Sequence, residues 1–145
     1  MVSSHFQGFC RDLHSEGIDF LARHAGTPML SSALRYSLSV GRLLDRGNAN
    51  PANLRSDFNR FGGDFWAAMD LADARTVARR GLLESLNLWR NAIAHQDFAP
   101  ARLGGRTSLA LTDARRWRRA CNGLAVTSDV VMRDQLRALV GVAPW

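Results

Sequence analysis

The side chains best suited to acid–base and phosphate chemistry lie near the end of one strongly periodic segment of the chain. Its polar residues recur every three or four positions, which places them within a sector of roughly 80° on a helix. They are Glu84, Asn87, Asn91 and His95. Histidine transfers protons near neutral pH because its ordinary pKa is about 6.5, and the nearby Arg90 offers a permanently charged fork of donors that suits a phosphate. The same stripe is also typical of a solvent-exposed face, so the pattern alone leaves both interpretations open.

Arg90 itself lies outside this polar stripe. It precedes His95 by five residues, which sets the two side chains about 140° apart around an ideal helix and roughly 7.5 Å apart along its axis. The two residues can act on one substrate in three ways. The long arginine side chain reaches round the helix, the helix ends near His95, or a second subunit completes the site.

Other combinations of reactive side chains are weaker candidates. Cys10 and His14 are four residues apart and form half of a zinc site, but only Cys121 remains as a further cysteine. We therefore predict no metal ion, and no cofactor-binding motif is present. Asp70 and Asp73 are more typical of acidic residues that offset a helix dipole than of a catalytic pair.

The charge balance indicates nucleic acid, and RNA in particular, as the partner. The chain has 19 basic and 13 acidic side chains, a net charge of +6 at neutral pH, and every basic residue is an arginine. A positive field attracts phosphate backbones and accelerates encounter with them. The run of residues 115–119 places four arginines around Trp117. In a helix, Trp117 is expected to turn inward while the arginines form either an ordinary solvated face or a phosphate-binding surface. These arginines are Arg115, Arg116, Arg118 and Arg119.

Length and composition predict one domain over residues 1–145. The chain is 46% hydrophobic, which excludes a disordered tail protein and allows a core without disulfide or metal support. No apolar run approaches the roughly 20 residues that a membrane helix needs. The first residues lack the pattern of a secretory signal peptide, so we expect a cytoplasmic protein that does not enter a membrane.

Apolar residues recur at helical spacing throughout, and no segment alternates as a half-buried strand does. We therefore predict an all-α fold, a four- or five-helix bundle. The segment 47–63 is rich in asparagine, proline and glycine and predicts a mobile loop with one short turn. Thr112 is the expected cap of the last helix. On the predicted helix 74–94 one apolar stripe should face the core, formed by Leu82, Leu86, Trp89 and Ile93. The predicted helices cover residues 4–24, 28–47, 64–73, 74–94 and 112–140.

Two motifs give the chain a family resemblance. The string RNAIAH at residues 90–95 resembles the Arg-x4-His signature of the HEPN superfamily of helical bundles, in which a polar residue, very often asparagine, follows the arginine. In a chain of this composition the bare pattern is expected about 0.5 times by chance, and adding the asparagine reduces this to about 0.025. The string HFQGFCRDL at residues 5–13 is similar to the opening helix of ribonuclease-like members.

The resemblance implies a HEPN-like bundle with metal-independent endoribonuclease activity, acting as a bacterial toxin or defence component. His95 would take the proton from a ribose 2′-hydroxyl, Arg90 would stabilise the charged phosphate, and Asn91 would orient one of them. The family's catalytic cleft usually forms where two copies of the motif meet, which implies a homodimer. Some members are silenced by an antitoxin that modifies a tyrosine two places after the histidine, but here that position is Asp97.

A cognate antitoxin of another type remains open. The main alternative is a non-catalytic helical domain that binds RNA or DNA, or that serves as a scaffold. Cleavage that depends on His95 and is restricted to RNA distinguishes the two hypotheses.

Overall fold

Six α-helices make up most of residues 2–145, the part of the chain that the computed structural model describes. This confirms the predicted all-α class, with more helices than the four or five expected. No helix among these residues has the length and apolar character needed to cross a membrane. In chain order the helices are α1 (Val2–Arg23), α2 (Pro28–Ser39), α3 (Pro51–Phe58), α4 (Phe65–Ala72), α5 (Thr76–His95) and α6 (Leu111–Val140).

The long helix α6 organises the core, because both α1 and α5 pack along it. Trp117 turns inward as predicted, and with Leu124 it belongs to one continuous hydrophobic cluster to which all six helices contribute. Thr112 does not cap the helix. Asp113 does so instead, because its carboxylate reaches back and accepts a hydrogen bond from the Ala110 N–H at 3.0 Å.

The prediction of a mobile loop at residues 47–63 is wrong for most of that segment. The segment contains the helix α3 and a short 3₁₀ turn, Asn59–Phe61. The Asn50 side chain caps α3 by accepting a hydrogen bond from the Asn53 N–H at 2.8 Å, and Pro51 occupies the first turn. Both are established start signals for a helix. In this segment the asparagine and proline residues therefore begin a capped helix and do not indicate a mobile loop. Its buried side chains include Leu54, Asp57 and Phe58.

The second helix is shorter than predicted and ends at Ser39 instead of continuing to residue 47. Gly41 has a φ of +74°, which a helix cannot accommodate, and the chain then forms the 3₁₀ turn Leu43–Asp45. The buried Asp57 carboxylate holds this turn, since it accepts hydrogen bonds from the N–H groups of Leu43 and Leu44 at 2.9 and 2.8 Å.

Gly17 in α1 allows the 3₁₀ turn Asn59–Phe61 to pack closely against that helix. A Cβ atom at Gly17 would lie 3.0 Å from the ring of Phe61, nearer than carbon atoms normally pack. The Phe61 ring in turn packs edge-on against His14 in α1. The segment after α2 is therefore part of the core rather than a surface connection.

Helix α5 carries the candidate motif and matches the predicted segment closely. Leu86 and Trp89 are buried as expected, and Leu82 packs against the core while partly exposed. Ile93 was expected in the core but is 55% exposed. It lines an open cleft bordered by α1 and α6, while Leu83 and Ala92 take the buried positions.

Candidate functional site

The candidate motif ends its helix abruptly. His95 is the last residue of α5, and Gln96 follows in the left-handed conformation with a φ of +53°. The Asp97 N–H then donates to the Ala92 carbonyl oxygen at 3.0 Å, and the Gln96 N–H donates to the Ile93 carbonyl oxygen at 3.4 Å. This is the hydrogen-bond pattern of a Schellman cap. It turns the chain back at His95 and places Asp97 beside the end of the helix.

His95 lies in a cleft of about 280 Å³ at this helix end. Its ring is exposed and forms no hydrogen bond within residues 2–145. Asp97 and Arg102, which line the same cleft, form an ion pair. A histidine with no structural partner is free to exchange protons with a bound ligand. The ion pair beside it places a guanidinium and a carboxylate at the cleft, with no net charge between them. The cleft is lined by Leu88, Asn91, Ala92, His95, Asp97, Arg102 and Leu103.

Asn91 shares the His95 cleft but is held from another part of the chain. The Asn48 side-chain amide donates a hydrogen bond to Asn91 Oδ1 at 2.8 Å. No hydrogen bond joins Asn91 to His95 among the described residues. Because Asn91 Oδ1 is occupied, the amide nitrogen of Asn91 is the group left to meet a ligand in the cleft.

Asn87 differs from the other members of the predicted polar stripe because it is buried. Its amide nitrogen donates to the carbonyl oxygens of Ala49 and Leu83, at 3.2 and 2.9 Å. It therefore fastens the segment before α3 to α5. The interpretation of the whole stripe as a solvent-exposed face is therefore wrong for Asn87, whereas Glu84, Asn91 and His95 are exposed.

Arg90 lines a different cleft, of about 380 Å³, between α5 and the beginnings of α1 and α6. Trp89, Ile93 and Trp117 contribute to its walls. The Nη1 atom of Arg90 is buried and has no hydrogen-bond partner within residues 2–145. A guanidinium nitrogen in that position has unused donors, and an anion that entered the cleft would satisfy them. The structure therefore brings Asn91 and His95 together but not Arg90.

Exposed apolar side chains surround this end of α5. Leu88 is 46% exposed and lines the His95 cleft, Ile93 is 55% exposed in the Arg90 cleft, and Phe98 is 48% exposed just after the cap. Leu88 and Ile93 therefore offer apolar surface at separate clefts, where another protein surface can contact it.

The arginine run at residues 115–119 of α6 is exposed to solvent except for its central tryptophan. Trp117 is buried, while the four flanking arginines are exposed, and none forms an ion pair with a carboxylate in the part of the chain that the structure describes. By contrast, Arg79 pairs with Asp73, and Arg106 pairs with Asp113. Hydrogen bonds from Arg75 and, to a lesser extent, Arg79 hold the pKa of the Asp73 carboxyl below its usual range, and Arg106 lowers the pKa of Asp113 in the same way.

The cysteines and His14 belong to the core. Cys10, Cys121 and His14 are buried, and burial raises the pKa of both thiols, to about 11 for Cys121. His14 Nε2 hydrogen-bonds to the Asp57 carbonyl oxygen at 3.1 Å. Among residues 2–145 no three histidine, cysteine or acidic side chains are grouped as metal ligands.

No known protein family, characterised protein or solved structure gave a significant match to this chain. The residues that the sequence reasoning missed are Asn48 and Arg102, which join the motif only through the fold.

Proposed function

We propose that this chain is a metal-independent endoribonuclease that works as a homodimer, with a HEPN-like site built from Arg90, Asn91 and His95. The observation that carries the proposal is that two polar side chains near the end of α5 lack hydrogen-bond partners in the described structure. Within residues 2–145, the His95 ring has no hydrogen-bond partner and the buried Nη1 of Arg90 is unpaired. Side chains held without partners in open clefts are typical of binding and catalytic sites.

The proposed reaction needs only these side chains. His95 takes the proton from a ribose 2′-hydroxyl, and the resulting alkoxide attacks the adjacent phosphorus. A bond forms from O2′ to phosphorus while the bond from phosphorus to O5′ breaks; the departing O5′ takes a proton from water, and the protonated His95 returns its proton to the solvent. The products are a 2′,3′-cyclic phosphate and a 5′-hydroxyl end. Arg90 stabilises the charge that builds on the phosphoryl oxygens, and Asn91 donates to the same group.

A second copy of the chain accounts for the separation of the two clefts. Within one protomer, Arg90 lines the cleft beside α1 and α6, whereas His95 lines the cleft that contains Arg102. If two copies pack through the exposed apolar residues at this end of α5, the Arg90 of one copy can meet the His95 of the other. The apolar residues Leu88, Ile93 and Phe98 supply the contact surface that such a homodimer requires.

In a cell, we infer that such an activity serves as a toxin or defence component in the cytoplasm, under the control of a cognate antitoxin. The alternative is a domain that binds RNA or DNA without cutting it. The unpaired arginines of α6 favour that alternative, because they supply phosphate contacts that do not involve the motif.

The test is cleavage of an end-labelled RNA pool in EDTA by the wild type, by His95→Ala and by the matched control His24→Ala. His24 is also exposed but lies just after α1. We expect wild type and His24→Ala to cut RNA, leave cyclic phosphate ends and spare a 2′-deoxy substrate, and His95→Ala to be inactive. RNA binding without cleavage by the folded wild type would favour the alternative, and cleavage by His95→Ala would contradict the proposed site.

A further inference from the structure

A groove outside the motif runs between α1 and α6 and encloses about 550 Å³. One face of each helix lines it. Phe6 and Phe9 from α1 have nearly parallel rings, with centroids 6.5 Å apart and an interplanar angle of 19°. Ala125 from α6 lies opposite them, so its small side chain leaves the groove open. A volume of this size, lined mainly by aromatic and apolar groups, suits a flat aromatic ligand.

The edge of this groove is strongly positive. Arg118 and Asn122 line both the groove and a neighbouring hollow of about 320 Å³. Arg115, three residues before Arg118, and Arg119, three residues before Asn122, complete that hollow on the same face of α6. No acidic residue lines either hollow within the described chain, and these arginines form no ion pairs there. Their charge is therefore available to an anionic ligand.

We infer that this groove binds an unpaired base of a single-stranded RNA, with the neighbouring phosphates on Arg115, Arg118 and Arg119. A stacking surface beside a track of positive charge is how proteins hold single strands without reading their sequence. A duplex conceals its bases, and a polyanion without bases has nothing to place between Phe9 and Ala125. Cys121, which also lines the groove, is a neutral thiol there because burial raises its pKa to about 11.

The groove lies on the same side of the protein as Arg90. Val2 borders both the groove and the Arg90 cleft, and Trp117, next to Arg118 in the chain, forms part of the wall of that cleft. A strand that leaves the groove past Val2 therefore reaches the Arg90 guanidinium. In this arrangement the groove holds nucleotides next to the scissile phosphate. The inference rests on the proposed function for its choice of RNA, but binding alone can test it.

The experiment measures binding of a fluorescent ten-nucleotide RNA in EDTA, with every protein carrying His95→Ala so that the RNA stays intact. Ala125→Trp fills the groove without changing the charge. Arg118→Gln/Arg119→Gln removes two phosphate contacts, and Arg133→Gln/Arg137→Gln is its control, with the same net charge further along α6. Thermal melting of each variant establishes that it is folded.

We expect Ala125→Trp to weaken binding roughly fivefold or more, the smallest effect usual for loss of one stacked base. The Arg118→Gln/Arg119→Gln variant should reduce the slope of log affinity against log salt by about 1.4, since each phosphate contact on a single strand contributes about 0.7. The control pair should change neither quantity. An abasic strand and a duplex of equal length should bind more weakly than the RNA.

The inference is overturned if folded Ala125→Trp binds as tightly as its parent, if the two arginine pairs behave alike, or if the abasic strand or heparin binds as well as RNA. A single-stranded DNA of the same sequence separates the two questions. If it binds equally well and the wild type cuts neither strand, the groove is a single-strand site while the proposed nuclease function fails.

Discussion

Arg90 and His95 belong to the same helix, but they line different clefts of one protomer. Arg90 faces the beginnings of α1 and α6, and His95 faces the turn that carries Asp97 and Arg102. The helix ends at His95, so no further helical turn covers the His95 side chain. A catalytic site that uses both groups on one phosphate is therefore incomplete in a single copy, and a dimer that pairs the two clefts completes it twice.

The first prediction concerns this dimer. Ile93→Asp should convert it to a monomer of 16.0 kDa, because the change places a charge in the exposed apolar surface beside the motif. RNA cleavage should fall at least tenfold as the paired site is lost. Light scattering coupled to size exclusion, with a cleavage assay on the same fractions, measures both effects.

Leu71→Asp is the matched control for this change, since Leu71 is 91% exposed on α4, away from the motif. It should leave the mass and the activity as they are in the wild type. A fully active monomeric Ile93→Asp would rule out a site shared between subunits.

The second prediction is a loss of stability in mild acid caused by His14. This side chain is fully buried, its Nδ1 has no partner in the described structure, and burial lowers its pKa to about 4. In the unfolded chain its pKa is about 6.5, so the unfolded state binds the proton first. The stability that His14 contributes is complete above pH 6.5 and is lost as the pH falls toward 4.

The full effect is on the order of 3 kcal/mol. Urea unfolding at several pH values between 7.5 and 4.5 measures it in the wild type and in His14→Gln, which cannot titrate. His14→Gln should be less stable at pH 7.5 but should lose less stability on acidification. Parallel profiles for the two proteins would show that another group causes the acid sensitivity.

The third prediction concerns the cap of α5. Gln96 has a φ of +53°, a conformation that glycine adopts without the steric cost that a side chain imposes. Gln96→Gly should therefore raise the free energy of unfolding by about 0.5–1 kcal/mol. The control Ala94→Gly makes a glycine inside the helix, where it should destabilise by about 1 kcal/mol. Chemical denaturation measures the free energy of unfolding of both variants. A change of the same sign in the two variants would contradict a strained cap at Gln96.

Helices whose apolar residues repeat regularly could be predicted from the sequence, and α5 and α6 are the clearest cases. Trp89 and Trp117 lie in the core as their spacing indicated. The error at Ile93 arose because an ideal stripe does not show where neighbouring helices leave a cleft. The helix α3 was missed because its capping residues, Asn50 and Pro51, also occur in turns, and only packing separates the two outcomes.

The candidate site was only partly visible in the sequence. The spacing of Arg90 and His95 already predicted that they point in different directions, and the structure places them in separate clefts. The contact of Asn48 with Asn91 spans 43 residues, so no local pattern could indicate it. The α1–α6 groove was invisible for the same reason, because it exists only once those two helices are known to be neighbours.

Subunit complementation tests the central claim most directly. Arg90→Ala and His95→Ala are each expected to be inactive, and a mixture that exchanges subunits should recover roughly a quarter of the wild-type cleavage of RNA in EDTA. Half of the dimers are then mixed, and one of their two sites has both an intact Arg90 and an intact His95. Recovery near that level supports a nuclease site shared by two copies. A mixture that stays inactive, although exchange has been verified, would contradict it.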